Sequence, residues 1–384
     1  MEAEPQRQYL KRKRSVKKVL FLIHDLGKGG AEKVLVNLVN HLDRKKFDIS
    51  VTVLFGGGVN EQYLSPDIHF RAVFPKMLPG NSHWMKLLTP EQLHRLCVSD
   101  PYDIEIAYLE GPSVRVISGC GNPDTRLAAW IHSRPASMNS FAGAFRSEKE
   151  ARWCYSRFQK ISCVSKTICK DFQRIVRIRN SCEVLYNTIE SDQILELMKE
   201  PISESLSSSD VRLIAVGTLK EVKGFDRLIR VAGRLRDDGY RIHLYILGSG
   251  PLEGALKRQI QEEGLEAAVS LLGYQENPYK YMAKCDLFIC SSYSEGFSSV
   301  VAESLIVGTP VCTTDVSGMR EMLGDNSEYG VITDNSEEGL LQGVRFLLDN
   351  PEQLDHYRKQ ARIRGSFFSK EKTVRAVEDM LQAL

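Results

Sequence analysis

Twice along the chain a β-rich apolar run stops at a glycine-bearing loop and resumes as an amphipathic helix. This repeated unit restricts the fold more than any other feature. The first run is Lys17–Ile23, its loop is 24–30, and its helix is 31–42, with Val34, Leu35, Leu38, Val39 and Leu42 at helical spacing. The second is Val211–Val216, which turns through 217–224 and enters a helix over 225–235. A strand followed by a crossover helix joins parallel strands, so each copy opens a parallel sheet covered by helices. Further strand segments follow the first copy at 49–55, 104–108, 127–131, 160–164 and 183–186. Those after the second are 242–247, 269–272, 286–290 and 310–313. The expected class is α/β, with two Rossmann-like domains in succession.

A chain of 384 residues exceeds one ordinary core, which agrees with that division. The first domain is expected over 16–188 and the second over 211–370. Between them, 189–210 contains the polar, serine-rich run Glu200-Pro201-Ile202-Ser203-Glu204-Ser205-Leu206-Ser207-Ser208-Ser209, as a surface connection does. A last helix over 371–384 is expected to pack back on the first domain, and 1–15 to form a mobile basic tail. With 42% apolar and 26% charged residues the composition is that of a soluble globular protein, and a net charge of +2 gives no case for a nucleic-acid partner. No apolar run reaches the roughly 18 residues that span a bilayer, and the basic start lacks the apolar segment of a secretory signal. The nine cysteines are odd in number and contain no C-x-x-C pair, so a reduced, cytoplasmic protein without a zinc site is expected.

Open α/β sheets bind ligands beyond the carboxyl ends of their strands. Three loops at such ends carry distinctive chemistry. Gly27-Lys28-Gly29-Gly30-Ala31-Glu32 places glycines at a helix start, where a backbone can approach an anion or a hydroxyl. It does not match G-x-G-x-x-G, which disfavours a dinucleotide, and a plain tight turn explains a glycine pair equally well. Gly217-Thr218-Leu219-Lys220-Glu221-Val222-Lys223-Gly224 sets Lys223 before a glycine at a helix start, placed to neutralise a phosphate, although most lysines are simply solvated. Ser291-Ser292-Tyr293-Ser294-Glu295-Gly296-Phe297-Ser298-Ser299 runs into a helix that Ser298 or Ser299 would cap and that contains Glu303. Glu295 and Glu303 can flank one polyhydroxylated ligand, because carboxylates accept hydrogen bonds from paired sugar hydroxyls.

The run from Glu295 to Glu303 resembles the Glu-x7-Glu signature of family 4 retaining glycosyltransferases, which have the GT-B fold of two Rossmann-like domains facing each other across a cleft. Gly29-Gly30-Ala31-Glu32, Val216-Gly217-Thr218-Leu219 with Lys223-Gly224, Leu247-Gly248-Ser249-Gly250-Pro251 and Gly308-Thr309-Pro310-Val311 resemble further stretches of that family. The resemblance implies that Glu303 holds the donor ribose and that Glu295, with the amides of Phe297 and Ser298, holds the transferred sugar. It implies that Lys223 pairs with the diphosphate, that His132 in Trp130-Ile131-His132-Ser133 lies near the reacting carbon, and that Tyr274 lies near the base. Gly29, Gly30, Gly217, Thr218, Gly250, Gly296 and Ser299 fall in the same donor-binding stretches, and Asn187 matches an asparagine at the domain junction. One departure stands out: Thr218 occupies the place of a family arginine that joins the lysine at the diphosphate. Lys220, two residues on, is the expected substitute.

The resemblance implies a metal-independent hexosyltransferase that uses no cofactor, and the absence of Asp-x-Asp agrees with metal independence. Its expected partners are a nucleotide-sugar donor, with uridine the family's commonest base, and a glycan or lipid-diphosphate-linked acceptor of surface polysaccharide synthesis. A nucleotide-sugar epimerase of similar fold and a non-catalytic glycan-binding subunit are the alternative readings. A glycosidase also uses two carboxylates, but it would need no phosphate loop. The acceptor loops 56–60 and 135–147 carry no legible code. Arg7, Lys11, Arg12, Lys13, Arg14, Lys17 and Lys18 form a basic run without an acidic residue, and Trp84-Met85-Lys86-Leu87-Leu88 adds apolar surface. A solvated terminus accounts for the basic run. So does peripheral contact with the anionic inner face of the plasma membrane, at about 1 kcal/mol per charge. Deleting residues 1–15 is expected to reduce sedimentation with anionic liposomes, and equal sedimentation of the two forms removes the membrane reading.

Overall fold

The computed structural model describes residues 16–77, 85–134, 137–178, 180, 182–202, 206–207 and 210–384. The tail 1–15, Trp84, the start of the loop 135–147 and most of the serine run after Ile202 lie outside the described residues. The chain forms two compact units. One comprises the residues up to Val164, Ile168–Leu185 and Val374–Leu384; the other comprises Ser165–Thr167 and Tyr186–Thr373.

The first unit is built on seven strands: β1 Lys17–Ile23, β2 Phe47–Phe55, β3 His69–Phe74, β4 Ile104–Tyr108, β5 Arg126–Ile131, β6 Lys160–Cys163 and β7 Cys182–Val184. Their order is β3-β2-β1-β4-β5-β6-β7, and every pairing is parallel. Val19 to Ile23 are wholly buried, as befits a strand covered on both faces. The final helix, Lys370–Ala383, contributes its last turns to this unit: Lys17 Nζ donates to the Leu381 carbonyl at 3.1 Å, and Lys46 Nζ to Glu378 Oε2 at 2.5 Å. Cys169 and Cys182 are bonded, which departs from the expected all-thiol set. The crossover from β6 to β7 brings them together over 13 residues, a spacing that no C-x-x-C search detects.

The second unit has six strands: β8 Val211–Val216, β9 Ile242–Leu247, β10 Val269–Gly273, β11 Leu287–Cys290, β12 Val311–Thr314 and β13 Val331–Thr333. They run in the order β10-β9-β8-β11-β12-β13, again all parallel. Leu213, Ala215, Leu244, Ile246, Leu287 and Ile289 of these strands share one buried cluster with Leu228, Val231 and Leu235 of the helix Phe225–Asp237. Strands β3 and β13 escape the sequence reading for the same reason. β3 is exposed at its first three residues and β13 is only three residues long, so neither produces a sustained apolar run. Ser191–Leu197, within the stretch read as a connection, is helical.

In this unit the helix Ser299–Val307, which carries Glu303, is braced by the helix Pro351–Gly365. The two approach so closely that a Cβ on Gly365 would lie 2.4 Å from the Leu305 carbonyl oxygen, a backbone atom with no freedom to swing away. Gly365→Ala is therefore expected to cost about 1–3 kcal/mol, as other overpacked sites do. The second unit should melt lower by about 2–4 °C per kcal/mol. An unchanged melting temperature would show that the helices can separate freely.

Candidate active site

Strand order in the second unit reverses between β8 and β11, which are hydrogen-bonded neighbours. The loops leaving their carboxyl ends therefore start side by side. After β8 the chain makes a short turn, Glu221–Lys223, and reaches Gly224, whose φ of 62° opens the helix Phe225–Asp237. Only glycine fits there, because a Cβ would lie 2.3 Å from the Ser291 carbonyl oxygen. The loops are stitched together: Ser291 Oγ donates to the Lys223 carbonyl at 2.9 Å, and the Tyr293 amide to the Val222 carbonyl at 2.8 Å.

This stitching brings Lys223 to Glu295, with Nζ donating to Oε1 at 2.7 Å. The same carboxylate oxygen accepts from Ser292 Oγ at 2.6 Å. The two side chains are only 24% and 10% exposed, so their attraction is screened less than that of a surface pair. They line a small pocket with Val216, Phe225, Cys290 and Val300. A cation and an acceptor-only group thus share one recess at the switch point. That arrangement suits a ligand carrying both an anion and hydroxyls.

Ser298 occupies the N-cap of the helix Ser299–Val307, yet its hydroxyl makes no cap bond. Its Oγ is buried and has no protein hydrogen-bond partner. The expected cap is therefore corrected: the residue starts the helix, while its hydroxyl and the first-turn amides have no side-chain cap between them. Glu303, half-buried in that helix, hydrogen-bonds the Tyr279 hydroxyl, whose pKa is raised first by burial and then by this carboxylate. Phe297 is buried against Tyr186 and Phe368, with centroids 5.6 and 5.7 Å away, which anchors the loop between Gly296 and Ser299.

The turn after β9 packs on the phosphate-loop candidate. A Cβ on Gly250 would lie 2.6 Å from the Leu219 carbonyl oxygen, and one on Gly248 would lie 1.9 Å from that of Gly217. Leu219 is buried, so Thr218 and Lys220 on either side of it are exposed. Tyr274, just beyond β10, is 74% exposed. Three contributors were not singled out in the sequence: Ser292, Tyr279 and Arg227, whose guanidinium bonds the Ser291 and Ser292 carbonyls. An arginine in the first turn of an amphipathic helix reads as a surface charge, and nothing local to the sequence marks it as buried.

In the first unit Gly29 and Gly30 open the helix Gly30–His41 after β1. The Glu32 carboxylate folds over Gly29, where a Cβ would lie 2.0 Å from Oε2, and burial raises the Glu32 pKa, with Asp25 raising it further. His24 Nδ1 and Asp25 Oδ2 are 2.6 Å apart in the same loop. His132 follows β5, its amide donating to Glu110 Oε2 at 3.0 Å and its ring 4.7 Å from that of Tyr108. Its Nε2 is enclosed without a partner, and burial pushes its pKa down to about 3, so the imidazole is neutral at neutral pH. The Oδ1 of buried Asn187, in the second unit, is likewise unpartnered.

Among the described residues two groups bring three metal-type ligand atoms within 4.8 Å of one another: Cys163, Cys169 and Cys182, and His94, Glu105 and Cys120. In the first, two of the sulfurs are bonded to each other. In the second, the groups satisfy one another: His94 Nε2 is 2.8 Å from Glu105 Oε2, and the Cys120 thiol is 3.7 Å from Glu105 Oε1. Burial lowers the His94 pKa, but the bonds to Cys120 and Glu105 outweigh it and bring it up to about 9. Neither group includes a residue of the loops after β8 and β11.

Known proteins share this architecture. Residues 199–364 match the family described as Glycosyl transferases group 1, and residues 28–193 match Glycosyltransferase Family 4. The chain is 31% identical to the N-acetylgalactosamine-N,N'-diacetylbacillosaminyl-diphospho-undecaprenol 4-alpha-N-acetylgalactosaminyltransferase of Campylobacter jejuni, over 94% of this chain and 98% of that protein. It is 24% identical to the lipopolysaccharide core biosynthesis glycosyltransferase LpsE of Rhizobium meliloti, over 84% of this chain and 86% of the other. Among solved structures it resembles Anabaena HepE in complex with UDP, with a TM-score of 0.74 at 18% identity, covering 96% of this chain and 100% of that one. Sucrose-phosphate synthase of Thermosynechococcus elongatus gives a TM-score of 0.77 at 15% identity, covering 96% and 98%. Two parallel α/β domains, matches to both family descriptions and a relative this similar over nearly the full length together make the chain a family 4 glycosyltransferase of the GT-B fold.

Proposed function

We propose that the chain transfers a hexosyl unit, with retention of configuration, from a uridine-diphosphate sugar to a glycan or lipid-diphosphate-linked acceptor in surface polysaccharide synthesis. The observation that carries this reading is the Lys223–Glu295 contact at the switch point of the second sheet. The donor base is supported by HepE, solved with UDP, and the acceptor class by the name of the Campylobacter relative.

Breaking a glycosyl–phosphate bond puts positive charge on the sugar and negative charge on the departing diphosphate. In the proposed course Lys223 turns from Glu295 to the diphosphate, and the amides at the start of the helix Ser299–Val307 add donors, so the leaving group is stabilised by the protein's own groups. Glu295, released from the lysine, accepts from sugar hydroxyls, and Glu303 accepts from the ribose. The acceptor oxygen bonds to the anomeric carbon on the face the phosphate leaves, and its proton passes to the departing phosphate oxygen. A neutral His132 suits this chemistry. It can hydrogen-bond a sugar hydroxyl without adding a second positive charge near the electron-poor carbon. Lys220 takes the role of the arginine replaced by Thr218. Contact with a lipid-linked acceptor is proposed to be peripheral, through the basic run from Arg7 to Lys18; among the described residues no helix is long and apolar enough to cross a membrane.

A nucleotide-release assay over a panel of UDP- and GDP-sugars tests the activity directly. An acceptor-dependent release of UDP is expected, and an epimerase would release none. Lys223→Ala should lower kcat/KM by about 10²–10³, the scale of losing one leaving-group donor; Lys220→Ala should raise donor KM several-fold, and a wild-type KM would dismiss its substitution for the arginine.

The state of His132 has its own signature. Its pKa is near 3 in the folded chain against 6.5 ordinarily, so the unfolded chain binds more protons between those values. Stability of the first unit must then fall as pH drops through that window, by up to about 1.4 kcal/mol per pH unit from this group. His132→Gln should remove that share of the slope in urea titrations followed by tryptophan fluorescence, since Trp130 and Trp153 both lie in the first unit. Equal slopes for the two proteins would mean that the imidazole is not held neutral.

A further inference from the structure

Arg227 has no part in the chemistry just described, yet it is among the most buried charges in the protein, at 2% exposed. Its Nε donates to the Ser291 carbonyl at 2.8 Å, and its Nη2 to the carbonyls of Ser291 and Ser292 at 2.6 and 2.8 Å and to Asn335 Oδ1 at 2.9 Å. The Tyr293 ring covers the guanidinium at 3.9 Å. None of these bonds goes to a carboxylate. The nearby acids Asp226 and Glu337 are held instead by Arg230, at 3.1 and 2.8 Å.

A cation in this place is unfavourable on two counts. Burial strips its water, and the first turn of a helix is the positive end of the helix dipole. What offsets the cost is the need of Ser291 and Ser292. They lie just past β11, where the strand ladder has stopped and their buried carbonyls require donors. The Ser292 carbonyl also accepts from Thr314 Oγ1 at 2.7 Å. These two residues hold both halves of the site: Ser291 Oγ bonds the Lys223 carbonyl, and Ser292 Oγ bonds Glu295.

The geometry points to Arg227 as a positioning residue that sets Lys223 against Glu295 by clamping the carbonyls of Ser291 and Ser292. This rests on the transferase reading for its consequence, but the clamp can be measured without turnover. A planar fork reaches two successive carbonyls; a lysine ammonium in its place cannot hold the same pair in fixed directions. The role is one of alignment, and misplacing a leaving-group cation weakens the transition state more than the ground state.

The test uses the full chain carrying Arg227→Lys and two milder changes at exposed partners, Tyr293→Leu and Asn335→Ala. Hydrogen exchange at amides 291–295 is expected to quicken in all three while the helix Glu337–Asp349 keeps its protection. In the nucleotide-release assay, normalised to folded protein, kcat should fall about tenfold or more for Arg227→Lys and several-fold for the milder pair, with donor KM rising less than kcat falls. Wild-type kcat in the folded variants overturns the proposal, whatever their melting temperatures. If Arg227→Lys does not fold, the two milder variants decide. If the wild-type chain releases no nucleotide, the transferase reading fails by itself, and unchanged exchange at 291–295 would still overturn the clamp.

Discussion

A parallel sheet sends the carboxyl ends of all its strands to one edge, and where the strand order reverses two neighbouring loops part to opposite faces. Every feature of the donor-loop candidate depends on that constraint. Strands β8 and β11 are 71 or more residues apart in sequence yet adjacent in the sheet, so Lys223 and Glu295 meet across 72 positions of sequence. Glycine does the rest of the work at the junction. With a side chain at 224 the Ser291 carbonyl would have to move, and with it the strand end that carries Glu295.

The contact between those two residues has opposing energetic consequences. A partly sheltered ion pair with a hydroxyl donor on the same oxygen is well satisfied, and that favours the fold. On the proposed reading a diphosphate also competes with Glu295 for the lysine, so part of the donor's binding energy goes into parting the pair. That exchange is productive on the proposed reading, because the same event frees the carboxylate to accept from sugar hydroxyls. On that reading one contact couples recognition of the phosphate half of the donor to recognition of its sugar half.

Much of this was legible in the sequence, for physical reasons that differ by element. Central strands such as β1 and β11 show as continuous apolar runs because both of their faces are buried, and the helix at 225 shows through its spacing. Strands β3 and β13 do not, since the first begins with three exposed residues and the second is only three residues long. Lys223, Glu295 and Glu303 could be singled out as candidates because loop position and motif spacing are local properties. Arg227 and Tyr279 were not, because their importance arises from partners 64 and 24 positions away, Ser291 and Glu303 respectively. Ser298 illustrates a third case: its place at the helix start follows from sequence, but whether its hydroxyl caps or turns to a ligand depends on a ψ of 96°. The cysteines carry the same lesson, as Cys169 and Cys182 meet only through a crossover.

The exchange of arginine for Thr218 can then be weighed against the cations that remain. Arg227 is near in sequence but unsuited, since its Nε and Nη2 are already spent on carbonyl and amide oxygens beneath the loop. Lys220 is exposed, where a charge is screened within about 8–10 Å at ordinary salt. Lys223 alone combines a sheltered position with a place at the helix start, so on this reading it bears most of the leaving group's charge. Its alignment cannot then be left to a flexible loop. A buried guanidinium that fixes the adjoining backbone fits that division, in which Lys223 carries most of the charge and Lys220 a smaller share.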